Sequence, residues 1–249
     1  MAITASHLRS TGTSQQRVDA LAKARGEHVF PSDNALPGMV WLRIVRSTKV
    51  HARILAVDTE AAARLDGVVS VLTAADIPGC NRFGLTVPDQ PVLCDEIVRF
   101  EGEPIAIIAA ETDEIARRAC ALVKVAYAEL PVVDSAKTAA EMPDLHLDGN
   151  LCSSLQVGHG DIATASRYCA HTATFAYATN RQEHAFLETE AGTSWIDEEG
   201  VLTLSVGGQN PFHDRRQIAL TLGLAEDRVR VLNPMMGGAF GGKEDCSVQ

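Results

Sequence analysis

The alternation of apolar and polar positions predicts short strands and helices along the first half of the chain. Apolar-rich, alternating or β-branched runs that are typical of strands occupy residues 39–45, 50–58, 68–72, 97–100, 104–110 and 123–127. Asp58 and Thr59 can cap a short alanine-rich helix, and Thr112 can cap another that runs to about Leu122. Strands and helices mixed in this way within one stretch of chain indicate an α+β domain.

The second half predicts another unit of the same kind, beginning near Asp161. Its strands are predicted over residues 172–178, 187–196, 201–206 and 228–232. Asn210 and Pro211 predict the start of a helix, because an amide side chain can cap the first N–H groups and proline suits the first helical position. Gly223 is a suitable left-handed cap for the end of that helix.

The segments outside these runs are predicted to be less regular. Residues 1–26 are polar with weak periodicity, which is typical of a loose tail. Pro131, Pro143 and Asn150 interrupt the pattern between residues 130 and 160, yet the apolar content is too high for a free linker, so we expect an extended crossing segment. The predicted organisation is a tail (1–26), a domain (27–133), a connecting segment (134–160) and the first part of a second domain (161–249).

Glycines are densest close to residue 249, and three interpretations of that cluster compete. Gly237, Gly238, Gly241 and Gly242 surround Phe240 and lead into Lys243 and Glu244. Gly237, four further residues and then Gly242 and Lys243 match the start of the phosphate-binding loop motif. That motif continues with Ser or Thr, whose hydroxyl binds magnesium, and here Glu244 occupies that position. A turn without a ligand is disfavoured, because so many glycines are costly in chain entropy. The third interpretation is a loop whose bare amide groups receive an anionic or oxo-bearing ligand.

Charge and cysteine usage exclude some classes of function. A formal net charge of −10 argues against a nucleic-acid partner, which favours basic surfaces. It argues equally against an anionic membrane surface, and no apolar run approaches the length of a membrane span. Six cysteines are scattered without a CxxC pair, so we expect reduced, mostly buried thiols and no iron–sulfur centre built from this chain. A cytoplasmic protein is expected.

Several motifs together resemble the molybdenum hydroxylases, the xanthine dehydrogenase and aldehyde oxidase family. From the N-terminus they are VHARILAVDTEAAARLDGVVSVLTAADIPG, QEHAFLETEAG, GGQNPFHDRRQIALTLGLAEDRVRV and GGAFGGKED. This is the order in which they occur in the family. NRFGLTVPDQPVLCDEIVRFEGEPIAIIAAET and HLDGNLCSS most resemble molybdenum subunits of bacterial xanthine dehydrogenases. The resemblance covers residues 17–249. It implies an α/β hammerhead domain followed by the start of a molybdopterin-binding domain, here the N-terminal part of the subunit.

The resemblance also implies roles for individual residues. Gln209 matches a glutamine that contacts an oxygen ligand on molybdenum. Gly238, Phe240 and Gly241 match the loop that packs beside the metal, with main-chain amides near its ligands. Glu244 matches the residue that orients the heterocycle in purine-oxidising members, where aldehyde-oxidising relatives often have an apolar residue. No side chain of this chain is expected to bind the metal directly, and the general base and the substrate arginine belong to a C-terminal part that this chain lacks.

Two further groups of polar residues have less definite roles. His184, Glu188 and Glu190 would point the same way on a strand, which suits either a transition-metal site or a polar rim beside the core. In the family this segment lies near the active site without binding molybdenum. Arg215 and Arg216 are interpreted as a solvated pair on a helix.

The reaction implied by the resemblance is hydroxylation of a purine or related N-heterocycle, or of an aldehyde, with water as the oxygen source. The expected cofactor is molybdenum–molybdopterin, with the cytosine dinucleotide as one candidate form. Electrons would leave through [2Fe–2S] centres to FAD on an iron–sulfur subunit and an FAD subunit, and another polypeptide would supply the C-terminal part. The isolated chain would be inactive. The alternative is a non-catalytic remnant or assembly piece with a half-built cofactor cleft.

Overall fold

The computed structural model describes residues 12–142, 145–146 and 149–246, in two compact units. The larger unit contains Gly38–Ala185 and Gln217–Ala225, with the gaps just given. The smaller unit contains the described parts of Met1–Pro37, Phe186–Arg216 and Glu226–Gln249. Residues 1–11 of the predicted tail, 143–144 and 147–148 of the predicted connecting segment, and 247–249 lie outside the described residues. Where the chain is described, no helix combines the length and the apolar character that crossing a membrane requires.

Strands and helices are mixed along the chain, which confirms the predicted α+β class. The strands of the described residues are β1 Trp41–Arg46, β2 Ala52–Asp58, β3 Val68–Thr73, β4 Ile97–Val98, β5 Pro104–Ala110, β6 Lys124–Glu129, β7 Gly192–Ile196, β8 Leu202–Val206 and β9 Val229–Leu232. The α-helices are α1 Ala20–Arg25, α2 Glu60–Ala63, α3 Asp113–Cys120, α4 Ala136–Glu141, α5 Ile162–Arg167 and α6 Pro211–Leu222.

The larger unit holds two antiparallel three-stranded sheets, in the orders β1-β5-β3 and β4-β2-β6. Helix α3 begins where the sequence predicts, because Thr112 Oγ1 accepts a hydrogen bond from Ile115 N at 3.2 Å. Its small buried residues, Ala116 and Ala119, let the helix approach the first sheet closely, where Ile108 of β5 is fully buried. The strands predicted in the first half of the chain are confirmed, with small shifts of their ends.

A close backbone contact joins the C-terminal end of α6 to a loop within the larger unit. The amides of Gly79 and Cys80 donate to the carbonyl oxygens of Thr221 and Leu220, both at 2.9 Å. A Cβ atom on residue 79 would lie 2.2 Å from the Leu220 carbonyl oxygen. Glycine at this position is therefore required by packing against another backbone segment.

The smaller unit is built on one sheet in the order β7-β8-β9. Strands β7 and β8 are antiparallel, whereas β8 and β9 are parallel. Parallel neighbouring strands need a long crossover connection, and helix α6 lies in the connection between β8 and β9. The residues of α6 from Gln217 onward are grouped with the larger unit. Asn210 Oδ1 accepts from His213 N at 3.3 Å, which confirms the predicted helix start, and Gly223 ends the helix with φ of 64°.

Four parts of the pattern were interpreted wrongly. Short helices α1 and α4 form inside the predicted tail and the predicted connecting segment, the latter capped by Ser135, whose Oγ accepts from Thr138 N at 3.1 Å. The strand predicted over 187–196 is present only from Gly192. Residues 172–178 form no strand, since a strand needs a neighbour for its N–H and C=O groups and these residues have none among the described parts of the chain.

Candidate functional site

The glycine loop, defined here as residues 237–245, follows β9 and has an unusual backbone. Gly238 and Gly241 have φ values of 118° and 96°, and Phe240 has φ of 55°. A left-handed conformation costs a non-glycine residue about 1–2 kcal/mol. Such a conformation persists only where surrounding contacts fix it, so the contacts of this loop determine its shape.

Gln209, the residue before the cap of α6, is attached to the glycine loop at three points. Its backbone N–H donates to Lys243 O at 2.8 Å. Its side-chain Oε1 accepts from Gly241 N at 3.0 Å and from Lys243 N at 3.4 Å. The structure therefore brings Gln209 and the loop together. Because Oε1 is engaged, the side-chain Nε2 group remains as a donor, and it has no partner among the described residues.

The loop amides are not all bare, which corrects the expectation from the sequence. Gly237 N donates to Glu188 Oε2 at 2.7 Å, and Gly242 N donates to Ala239 O at 2.9 Å. Within the described part of the chain, the consecutive amides of residues 238–240 have no protein acceptor. These three amides and Gln209 Nε2 are therefore available as donors.

A buried ion pair beneath the loop was missed by the sequence analysis. The Lys243 side chain is 1% exposed and the Glu188 side chain 8% exposed. Lys243 Nζ lies 3.1 Å from Glu188 Oε2 and 3.0 Å from Glu188 O, and it sits 4.7 Å from the centroid of the Phe186 ring. Glu188 thus binds both Lys243 and the amide of Gly237. No local pattern links two residues so far apart in sequence, so only the fold reveals the pair.

Glu188 and its neighbours do not share a strand face as the sequence suggested. Residues 182–191 are irregular, and β7 begins only at Gly192. Glu188 instead turns to the glycine loop. Within the described ranges, no group of three or more His, Cys, Asp or Glu residues is placed to hold a metal ion. The transition-metal interpretation of His184, Glu188 and Glu190 therefore gains no support.

Phe240 and Glu244 both reach solvent from the loop. Phe240 is 78% exposed, so it is not the core aromatic that composition favours. Its ring lies against Gly238, where an added Cβ would be 3.3 Å from Cε2. Glu244 is exposed, and its carboxylate has no partner among the described residues. Arg215, expected to be solvated, is paired with Glu226 at 3.2 Å.

Lys23 and His28, near the N-terminus, bind the backbone of the two residues that precede the glycine loop. Lys23 Nζ donates to Met236 O, and a ring nitrogen of His28 lies 2.6 Å from Met235 O. Lys23 also bonds Asp19 at 2.5 Å, and this hydrogen bond is the main reason that the pKa of Asp19 is lowered to about 2. The described part of the predicted tail is therefore attached to the site.

Comparison with known proteins assigns the two halves of the chain. The model of the aldehyde oxidase and xanthine dehydrogenase a/b hammerhead domain matches residues 25–131, and the model of the molybdopterin cofactor-binding domain matches residues 145–249. The chain belongs to the aldehyde oxidase and xanthine dehydrogenase family. Gln209, Glu188 and the glycine loop all lie in the part that matches the molybdopterin cofactor-binding domain.

Relatives are similar over nearly the whole of this chain but are much longer. A probable xanthine dehydrogenase subunit of Bacillus subtilis is 38% identical over 95% of this chain and 32% of its own length. The nicotinate dehydrogenase large molybdopterin subunit of Eubacterium barkeri is 38% identical over 96% of this chain and 56% of its own length. The crystal structure of quinoline 2-oxidoreductase from Pseudomonas putida 86 is similar with a TM-score of 0.82 and 28% identity, covering 93% of this chain and 31% of that chain.

The six cysteines differ sharply in accessibility. Cys80, Cys152 and Cys169 are exposed, so the expectation of mostly buried thiols is wrong for them. Burial raises the pKa of Cys94 and of Cys246, the latter just after the loop, to about 12 in each case. All six are free thiols.

We expect alkylation to distinguish these two classes of cysteine. The thiolate is the reacting species, and a raised pKa lowers its fraction at pH 8, so Cys94 and Cys246 should react roughly tenfold more slowly, or slower still, than the exposed thiols. Iodoacetamide labelling of the folded chain followed by peptide mass spectrometry measures this directly. The same labelling in urea should modify all six; equal rates at Cys246 and Cys152 in the folded chain would contradict the burial described here.

Proposed function

We propose that this chain is the N-terminal part of the molybdenum-containing catalytic subunit of a xanthine dehydrogenase-type hydroxylase, and that the complete enzyme oxidises a purine or related N-heterocycle with water as the oxygen source. The observation that carries the proposal is the Gln209 side chain. Its oxygen is bound to Gly241 N and Lys243 N, so its N–H groups are directed away from these loop amides as donors.

The donors of the site suit an oxygen-rich, anionic cofactor. Gln209 Nε2 and the amides of residues 238–240 can donate hydrogen bonds without adding a charge. The exposed Phe240 ring supplies an apolar wall that would exclude water from a bound group. These residues therefore fit molybdenum–molybdopterin, which when bound would supply the two-electron oxidation. The cytosine dinucleotide form is one candidate.

Glu244 is the residue proposed to orient the substrate. Its carboxylate is exposed and has no partner among the described residues, so it can accept an N–H group of a heterocycle. Relatives are named after xanthine and nicotinate, and one structural neighbour after quinoline. Those names support a nitrogen heterocycle as the substrate class.

The remaining components are proposed to lie outside residues 1–249. We assign residues 27–133 to the hammerhead domain, 134–160 to a connecting segment and 161–249 to the first part of the molybdopterin-binding domain. The general base and the rest of that domain would be carried by the portion that matches the remainder of the relatives, whether it continues this chain or is separately encoded, and [2Fe–2S] and FAD by further subunits. The naming of relatives as subunits supports such a complex, and six free thiols suit a reducing cytoplasm.

A co-expression experiment tests this function. The partner is the polypeptide from the same organism that matches the other two thirds of the Bacillus subtilis relative, whether it continues this chain or is separately encoded. We expect the purified complex to contain molybdenum by elemental mass spectrometry. Glu244→Val should retain the metal and lower kcat/KM for the purine about 10- to 100-fold, because one hydrogen bond to a charged group, about 1.5–3 kcal/mol, is lost.

Glu198→Val is the matched control, since Glu198 is an exposed carboxylate on the turn between β7 and β8. It should leave both metal content and turnover unchanged. If the complex with the partner contains no molybdenum, or the organism encodes no such partner, the chain is a non-catalytic remnant and the proposal is wrong. Loss of metal in Glu244→Val would show a structural role for Glu244 instead of substrate orientation.

A further inference from the structure

One peptide group, between Met236 and Gly237, is bound on both sides by ionised side chains. Its carbonyl oxygen, Met236 O, accepts a hydrogen bond from Lys23 Nζ. Its N–H group, on Gly237, donates to Glu188 Oε2 at 2.7 Å. All four residues lie in the smaller unit. Because the carbonyl and the N–H of a trans peptide point in opposite directions, these two hydrogen bonds fix the plane of the peptide from both edges.

Each of the two ionised side chains has a partner of opposite charge behind it. Lys23 Nζ bonds Asp19 Oδ2 at 2.5 Å, and Lys243 Nζ lies 3.1 Å from Glu188 Oε2. The side chains of Asp19 and Lys23 are 4% and 22% exposed, so this pair too is largely removed from water. Buried charges are weakly screened, and hydrogen bonds to ionised groups are roughly twice as strong as those between neutral groups. The peptide therefore lies in a row of alternating charges that resists its rotation.

Packing around Gly237 also leaves this peptide little room to turn. A Cβ atom on residue 237 would lie 2.7 Å from Glu188 Cβ and 3.3 Å from Phe30 Cε1. The preceding peptide is held as well, because a ring nitrogen of His28 lies 2.6 Å from Met235 O. The chain is thus held on several sides at the point where it enters the glycine loop.

We propose that Lys23, with Asp19 behind it, is a positioning residue for cofactor binding, and that it acts by holding the Met236–Gly237 peptide. The amides of residues 238–240, which have no protein acceptor in the described part of the chain, follow this peptide directly. The direction of each N–H group depends on the dihedral angles of the residues before it, so a fixed peptide at the start of the run presents these donors in one arrangement. The inference rests on the proposed function, because it takes the molybdenum–molybdopterin ligand from there. It adds two residues that precede the parts of the chain matched by either family model.

The test compares three variants of α1 in the purified complex defined under Proposed function. Lys23→Met removes the donor to Met236 O, yet Asp19 stays bonded to Arg17 at 3.0 and 3.2 Å, so no buried carboxylate is left unpaired. Lys23→Arg keeps a cationic donor. Arg25→Met is the matched control, because Arg25 is exposed on the same helix and its replacement removes the same charge. After dilution, elemental mass spectrometry of the retained complex should show molybdenum released at least about tenfold faster from Lys23→Met, and within about threefold of the wild-type rate from the other two.

Hydrogen exchange provides a readout that does not depend on the metal. In Lys23→Met the bonded amides of Gly237 and Gly241 should exchange at least about tenfold faster than in the wild type, whereas those of helix α3 should be unchanged.

Equal release and equal exchange in Lys23→Met and Arg25→Met would overturn the inference, as would failure of Lys23→Arg to restore both. If Lys23→Met does not assemble, Asp19→Asn with Lys23→Met, which removes both charges of that pair, is judged by the same two measurements. A wild-type complex without molybdenum would count against the proposed function, and hydrogen exchange would still decide whether Lys23 holds the loop.

Discussion

Lys243→Met is expected to lower the free energy of unfolding by about 3–5 kcal/mol, the cost of removing one partner from a buried ion pair. The substitution would leave the Glu188 carboxylate buried without its cation, since its side chain is only 8% exposed. It would also remove the bond from Nζ to Glu188 O and the contact with the Phe186 ring. The glycine loop would then lose the buried contacts that hold Lys243 to Glu188.

Urea denaturation of the purified chain measures this loss. Lys137→Met is the matched control, because Lys137 is exposed on α4 and its replacement should change the free energy of unfolding by less than about 0.5 kcal/mol. Replacing both charges, as Lys243→Met with Glu188→Leu, should restore part of the loss, since no unpaired buried charge remains. A single variant as stable as the wild type would show that the pair does not hold the loop.

Gly79→Ala is expected to destabilise the larger unit by about 3 kcal/mol through overpacking against fixed backbone. The added methyl group would lie 2.2 Å from Leu220 O, 2.6 Å from Gly223 N and 2.8 Å from Thr221 O. None of these atoms can turn aside by a side-chain rotation. Relief requires the end of α6 to separate from the loop, which breaks the two hydrogen bonds from Gly79 and Cys80.

Gly158→Ala separates this packing effect from the general effect of replacing glycine. An added Cβ at Gly158 has no neighbour within 4 Å, and its backbone is not left-handed, so the variant should be as stable as the wild type or slightly more stable. Thermal unfolding of both variants provides the comparison. If Gly79→Ala melts at the temperature of Gly158→Ala, the contact between the loop and α6 contributes nothing to stability.

Elements whose signals are local could be predicted from the sequence. Helix α6 starts at Asn210 and Pro211 and ends at Gly223, because capping and glycine conformation act within a few residues. Helix α3 after Thr112 follows for the same reason. The confirmed α+β class rests on many such local signals, and the confirmed family rests on motifs read as a set.

Features that depend on distant partners could not be predicted. Glu188 and Lys243 are 55 residues apart, and neither has a local pattern that announces a buried pair. Residues 172–178 have the alternation of a strand, but pairing needs a neighbour that the described chain does not provide. The loop amides could be predicted to gather near Gln209, yet which of them remain free depends on contacts with Glu188 and Ala239.

The orientation of the Gln209 amide has a consequence for selectivity. The N–H groups of Gly241 and Lys243 fix the orientation of this amide without a ligand. Rotation of the amide by 180° would place the Nε2 donor against these two N–H donors. The loop backbone therefore fixes the positively polarised Nε2 group of Gln209 as the end of the amide that a ligand contacts. A ligand atom with a lone pair can accept a hydrogen bond from Gln209 Nε2, whereas a ligand group that can only donate finds no free acceptor on this side chain.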